Sequence, residues 1–227
     1  LRAPLGRRSS SSLVAQVGLR YRVIKHSEFA VEGQLAAVTP DPSDATASWT
    51  SLRASVRHDT RDSFVNPTRG IVLEGEGEVA AAALSSGPGM ARYGVWSRAY
   101  VPALRGHVVV AVRAGVEGVG GDRLPVQALV TMGGAGTVRG MSQDRYVDRV
   151  RGLGNVEARF PVYHRLRGIV GMDAGTVWSS VGDISLRGWH TSPAVGLRYH
   201  LDTFIVRLDV GLGDETTGVY FNFGQLF

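Results

Sequence analysis

The residues of this chain that could carry chemistry are few in kind. There is no cysteine, which removes thiol nucleophiles, disulfides, cysteine-ligated zinc and iron–sulfur clusters together. The six histidines show no repeated metal-ligand spacing, and neither His-Glu-x-x-His nor Gly-x-Ser-x-Gly occurs, so zinc and serine hydrolases lack their apparatus. The glycine-rich interval Met132-Gly133-Gly134-Ala135-Gly136-Thr137-Val138-Arg139-Gly140-Met141 invites a phosphate-binding reading. That reading fails: no Lys-Ser/Thr ends the interval, Gly-x-Gly-x-x-Gly is not satisfied, and no amphipathic helix follows to offer its N-terminus. What remains is ionic: the polar faces are rich in arginine–carboxylate combinations. The chain reads as non-enzymatic, with no cofactor and no metal.

The elements that must position these groups follow a period of two, which puts alternate side chains on opposite faces of a strand. Leu13, Ala15, Val17, Leu19, Tyr21 and Val23 alternate with Gln16, Gly18, Arg20 and Arg22. Phe204, Val206, Leu208 and Val210 alternate with Arg207 and Asp209, and Val219, Phe221 and Phe223 with Tyr220, Asn222 and Gly224. Glu157 and Arg159 share one phase against Val156, Ala158, Phe160 and Val162, and Asp173 opposes Val170, Met172 and Ala174. In all, ten strands are expected, five before and five after a long glycine-rich interval at 119–154. No segment has helical period, and no apolar run reaches the ~18 residues of a membrane-spanning helix.

Alternation by itself also fits a water-soluble antiparallel domain with one face on a core. Two features favour an all-β, antiparallel transmembrane β-barrel instead. The strands run to about 9 to 12 residues, which suits a tilted bilayer crossing. Connections also alternate between short (60–69, 103–106, 164–165, 201–202) and long (25–47, 85–90, 119–154, 179–193, 213–217), as they do when one rim carries turns and the other loops. Formal charge is +5, with Lys25 the only lysine among 25 basic residues. The arginines sit singly on alternating positions, so nucleic acid is not an expected partner.

Three stretches carry a resemblance to the BamA/TamA family of outer-membrane assembly factors, whose superfamily also includes two-partner secretion transporters. Val138-Arg139-Gly140-Met141 resembles the family's Val-Arg-Gly-aromatic tip of a long loop folded back into the lumen, with Met in the aromatic place. Gly171-Met172-Asp173-Ala174-Gly175-Thr176-Val177-Trp178 is similar to its strand signature with an inward aspartate, and Glu157-Ala158-Arg159-Phe160-Pro161 to the preceding strand. The resemblance implies that Arg139 bonds Asp173 and Glu157 and pins the loop to the inner wall; a solvated loop arginine is the alternative. The cluster from Asp59 through Asn66-Pro67 to Gly70 resembles a periplasmic turn. The ending with Phe221, Phe223 and Phe227 resembles the terminal aromatic signal for barrel insertion, though such aromatics also suit a plain core strand.

The resemblance further implies that residues 1–227 are the C-terminal part of a 16-stranded outer-membrane barrel. Ten strands closed on themselves leave little room for a loop of this length, and an open sheet has two unpaired edges in lipid. The expectation is a fragment, or a barrel completed by another chain. Implied partners are outer-membrane lipids, unfolded outer-membrane protein or secreted polypeptide substrates, and accessory periplasmic proteins. The implied function is insertion or translocation by strand templating at the barrel seam. A secretion pore of the two-partner or patatin-like fused-passenger type is the alternative. A passive pore fits less well, having no use for the Arg139 and Asp173 constellation.

Overall fold

The alternating segments become strands. In this computed structural model residues 11–24, 27–39, 47–80, 89–122, 124, 126–214 and 216–227 are described, with side chains from residue 51 onward. The strands are β1 (Ser11–Ile24), β2 (Ser27–Thr39), β3 (Ala47–Asp59), β4 (Gly70–Ala80), β5 (Met90–Ala103), β6 (Val108–Gly121), β7 (Val130–Met132), β8 (Tyr146–Asp148), β9 (Val150–Tyr163), β10 (Leu166–Trp178), β11 (His190–His200), β12 (Ile205–Leu212) and β13 (Thr217–Phe223). Eleven of them form one antiparallel sheet in chain order, β6 pairing directly with β9; β7 and β8 pair with each other in the excursion between them. β1 and β13 stand at opposite edges of the sheet.

Eleven strands replace the ten expected, and β2 is the addition. The span 25–47 was expected to be one long connection, yet Ser27–Thr39 pairs along its length with both β1 and β3. Its alternation of Phe29, Val31 and Leu35 against Glu28, Glu32 and Gln34 is blurred by Ala30, Gly33, Ala36 and Val38, small or apolar residues that carry little periodic signal. The long loop is also shorter than 119–154: β6 continues to Gly121 and β9 begins at Val150. Gly120, Gly121, Gly152 and Gly154 read as loop by composition but lie within the ladder. At the other end β13 stops at Phe223, where Gly224 (φ +81°) turns the chain and donates its amide to the Ile205 carbonyl at 2.7 Å.

Burial is inverted relative to a water-soluble β-domain. On β4 the apolar Ile71, Leu73 and Val79 are 43%, 49% and 62% exposed, whereas the same strand turns Glu74, Glu76 and Glu78 to the side of buried Val72. Val95, Val101, Val170, Val195, Val219, Phe221 and Phe223 are likewise exposed on later strands. An apolar band of this extent spread over most strands belongs against lipid, not water. Among the described residues no helix is long and apolar enough to cross a membrane.

The opposite, concave face holds the core and much of the loop between β6 and β9. Met132 and Val138 from the loop pack with Leu153 of β9, and Trp96, Met141 and Tyr146 border that cluster. Towards the other end Val72, Tyr100, Val109 and Ala111 form a second cluster, against which Phe227 packs.

Candidate functional site

The largest fully buried side chain of the loop is Arg139. Val138 and Arg139 are both 0% exposed, and the tip is closed locally by turns: Gly134 donates to the Val138 and Met141 carbonyls, and Met141 to Val138. Gly175 of β10 leaves the space that Met132 and Val138 fill, since a Cβ there would meet the sulfur of one and a methyl of the other. Gly171, the other glycine of that strand signature, lies where the Val156 carbonyl and Glu157 of β9 press close.

Alternation delivers the acceptors. Glu157 on β9 and Asp173 on β10 fall in the inward phase of their strands, and both are 0% exposed. Arg139 Nε and Nη2 donate to the two Asp173 carboxylate oxygens, each at 2.8 Å, and the Arg139 amide adds a third bond at 3.1 Å. Its Nη1 donates to Glu157 Oε1 at 2.8 Å. The guanidinium thus makes a two-pronged bond to one carboxylate and a single bond to another, the arrangement its planar fork fits best.

Several participants were not singled out by sequence. Asp209 on β12, 0% exposed, lies 3.5 Å from Arg139 Nη1 and accepts from Arg198 Nη1 of β11 at 2.6 Å. Arg159 Nε donates to Glu157 Oε2 at 3.0 Å, and Asn155 donates to both Asp173 Oδ1 and the Thr137 carbonyl. The signal for them was parity: Asn155 and Arg159 share the phase of Glu157, and Asp209 faces the same side as Arg207. Three strands, β9, β10 and β12, therefore bring carboxylates to one loop residue, and β11 adds Arg198 against two of them. Removing either sign from so dry a cluster strands a charge.

A fifth strand is tied in by Tyr220 of β13. Its hydroxyl lies 2.8 Å from the Arg139 carbonyl and 3.1 Å from the Met141 carbonyl, to which it donates. The approach depends on bare backbone: a Cβ at Gly211 of β12 or Gly218 of β13 would overlap Arg139, and one at Gly140 would overlap the chain at Leu212 and Gly213. Loop tip and strand edge meet main chain to main chain.

The terminal aromatics divide. Phe221 and Phe223 point outward, 66% and 67% exposed. Phe227 lies inside, with the guanidinium carbons of Arg113 and Arg159 each 5.2 Å from its ring centre, and its main-chain oxygen accepts from Arg159 at 3.2 Å. In the turn between β3 and β4, burial raises the Asp62 carboxyl, but bonds from the Thr68 hydroxyl and the Thr68 and Arg69 amides outweigh it and hold Asp62 below the ordinary carboxylate value. Among the described residues no group of three or more His, Asp or Glu side chains is placed to hold a metal ion.

These features meet in known proteins. The Omp85 superfamily domain matches residues 1–227. No curated protein matches the chain. Among solved structures, BamA from Haemophilus ducreyi lacking POTRA domains 1–3 superposes with a TM-score of 0.77 at 13% identity, covering 96% of this chain and 54% of that one. CdiB from Acinetobacter baumannii gives 0.62 at 14% identity, covering 95% and 42%. The likeness at these identities is one of fold, and this chain spans 54% and 42% of those two. With the family model matched from end to end and the fold shared, the chain belongs to the Omp85 superfamily of outer-membrane β-barrel proteins.

Proposed function

We propose that residues 1–227 form the C-terminal part of an outer-membrane barrel that assists insertion of outer-membrane proteins without enzymatic chemistry. The observation that carries the reading is the path from Arg139 to β13. The loop tip bonds β9 and β10 through Glu157 and Asp173, and bonds an edge strand of the sheet through Tyr220. An edge strand offers unpaired amides and carbonyls on which an incoming strand can pair, a β-augmentation that needs neither nucleotide nor cofactor. In this reading the loop holds β13 in place as one wall of the seam, and Phe221, Phe223 and Phe227 serve as the insertion signal of the barrel itself. Its partners are outer-membrane lipids, unfolded outer-membrane proteins and accessory periplasmic proteins.

The test is folding of a small client barrel into liposomes that contain the purified protein. The native protein is expected to accelerate client folding, and Arg139→Glu, which sets a third carboxylate against Glu157 and Asp173, to remove the acceleration and the heat-modifiable gel mobility together. Unchanged activity and mobility in Arg139→Glu would overturn the reading. The second reading, a secretion pore of the two-partner or patatin-like type, draws on the same loop and strand motifs. It predicts export of a polypeptide across the liposome with no acceleration of client folding.

A further inference from the structure

Several strand glycines of the sheet are explained by what crowds them. A Cβ at Gly115 would strike the Trp96 ring, at Gly118 that of Tyr93, at Gly152 that of Trp178 and at Gly168 that of Phe160. Gly75 of β4 differs. A Cβ there would meet, among the described residues, only a Val56 methyl carbon at an ordinary 3.4 Å. Glycine weakens a strand interior and is found there where something approaches the backbone closely. No described residue makes that approach to Gly75.

Gly75 belongs to the floor of a groove on the outward face. The floor is Gly75, Ser97 of β5 and Ala114 of β6, and each has a branched apolar neighbour two positions along its own strand: Leu73, Val95 and Val116. Register carries the floor across the sheet, since Ser97 pairs with both Leu73 and Ala114, and Gly75 pairs with Val95. His58 of β3 stands at one end, and Trp189, whose ring lies over Gly152, at the other. From β3 to β9 the groove crosses neighbouring strands in the order β3-β4-β5-β6-β9, a length of about 19 Å at ~4.8 Å per spacing. Its free volume of about 680 Å³ lies within the roughly 300–1,000 Å³ of sites that hold one small ligand.

The lining selects the occupant. These strands are paired on both sides, and the Ser97 hydroxyl already donates to the Ala114 carbonyl at 3.2 Å, so the groove offers no directional bond to an incoming strand. Floor and wall residues stand about 7 Å apart along a strand, which admits one extended chain and not a helix ~10 Å across. The face looks into hydrocarbon. The foot of the groove supplies charge. His58 is next to Asp59, the last residue of β3, and the turn that follows presents Arg69 with its side chain 76% exposed, loosely paired with Asp62 at 4.0 Å. Arg61 of the same turn is held by Asp59 at 2.7 Å, whereas Arg105 of the next turn is exposed with no carboxylate beside it among the described residues. The foot is therefore cationic and the groove above it apolar.

We infer that the groove binds one acyl chain of a phospholipid from the periplasmic leaflet. The chain runs from the foot beside turn 60–69 towards Trp189, over Gly75, Ser97 and Ala114, and its phosphate lies in the field of Arg69 and Arg105. The lipid partnership proposed above, on whose membrane-facing orientation this rests, thereby acquires a place on the barrel wall away from the β13 edge. Lipid binding here and client folding can fail separately.

The test is native mass spectrometry of the purified protein, stripped of lipid in detergent and titrated with palmitoyl-oleoyl-phosphatidylglycerol. A single saturable adduct is expected. Ala114→Phe, which sets a ring on the groove floor, should raise its apparent Kd about tenfold or more, as fits the loss of a few buried methylenes. Val195→Phe, which sets the same ring on the outer face of β11 outside the groove, should bind as the native protein does. Should Ala114→Phe fail to fold, Gly75→Leu, whose Cβ has room, fills the same floor and should show the same loss with heat-modifiable mobility kept. Equal adducts in the native and filled variants, or graded adducts without saturation, would mean lipid coating the barrel everywhere and overturn the inference. Tighter binding of lipid A than of phosphatidylglycerol would hand the groove to the opposite leaflet, and a dimer that Ala114→Phe dissolves would hand it to a second copy; either overturns it as well.

Discussion

Two stretches of the same inner wall use the same chemistry and differ in their surroundings. On β3 to β5, Arg53 pairs with Glu76, Arg57 with Glu74, and Arg98 with Glu74 at 2.8 Å, all with side chains between 23% and 35% exposed. On β9 to β12, Glu157, Asp173 and Asp209 meet Arg139, Arg159 and Arg198 with exposures of 0% to 4%. Strand alternation accounts for both rows, since every second residue faces inward and neighbouring strands set opposite charges side by side. Among the described residues the loop bonds directly into the second row through Arg139, whereas it borders the first at Val130. Covering the second row expels water, raises the strength of each ion pair and raises equally the penalty for breaking one. The covered row is therefore a fastener and the open row a polar lining.

The comparison breaks most visibly at Arg139. Arg139→Ala leaves Glu157 and Asp173 buried with fewer cations, at an expected cost of about 3–5 kcal/mol, read as a lower unfolding midpoint in denaturant and loss of protease resistance in the loop. Next is Gly211→Ala. A methyl group there overlaps the Arg139 backbone, so the loop tip must lift, at an expected cost of about 1–3 kcal/mol; a midpoint within error of the native protein would show that loop and β12 are not in main-chain contact. Tyr220→Phe is milder. It removes one hydroxyl bond, worth about 0.5–1.5 kcal/mol, and hydrogen exchange should quicken at β13 amides while β9 and β10 stay protected. Equal loss on all three strands would mean that Tyr220 supports the cluster as a whole and not the edge.

Much of this is legible in the sequence. Glu157 and Asp173 announced their inward direction because a strand fixes the face of each residue by parity alone, and both lie in clean alternation. Arg139 was reached only through its motif, since no local rule says which way a glycine-rich loop folds. Asp209, Arg198 and Tyr220 were in the polar phase of their strands, yet parity gives a face and not a height, and pairing register decides which of several inward residues meet the loop tip. β2 escaped because alanine and glycine flatten its period, and the loop looked longer than it is because glycine inside a ladder resembles glycine in a turn. Phe227 follows the outward phase of Phe221 and Phe223 by number; Gly224 breaks the count and sends it inward.

The smallest expected effect separates the two rows most sharply. Glu76→Gln on the open row keeps the shape of the side chain and removes its charge. A double-mutant cycle with Arg53→Gln should return a coupling of about 0.2–1 kcal/mol, because water and salt already screen a pair whose side chains are each 35% exposed. The same cycle with Arg198→Gln and Asp209→Asn, on a pair 2.6 Å apart with 1% and 0% exposure, should give a severalfold larger value, since each single variant leaves a buried charge unpaired. Raising salt to about 1 M, where the Debye length is ~3 Å, should erase the first coupling and leave the second standing. Equal couplings with equal salt dependence would mean that water reaches both rows alike, and the distinction between fastener and lining would fall with it.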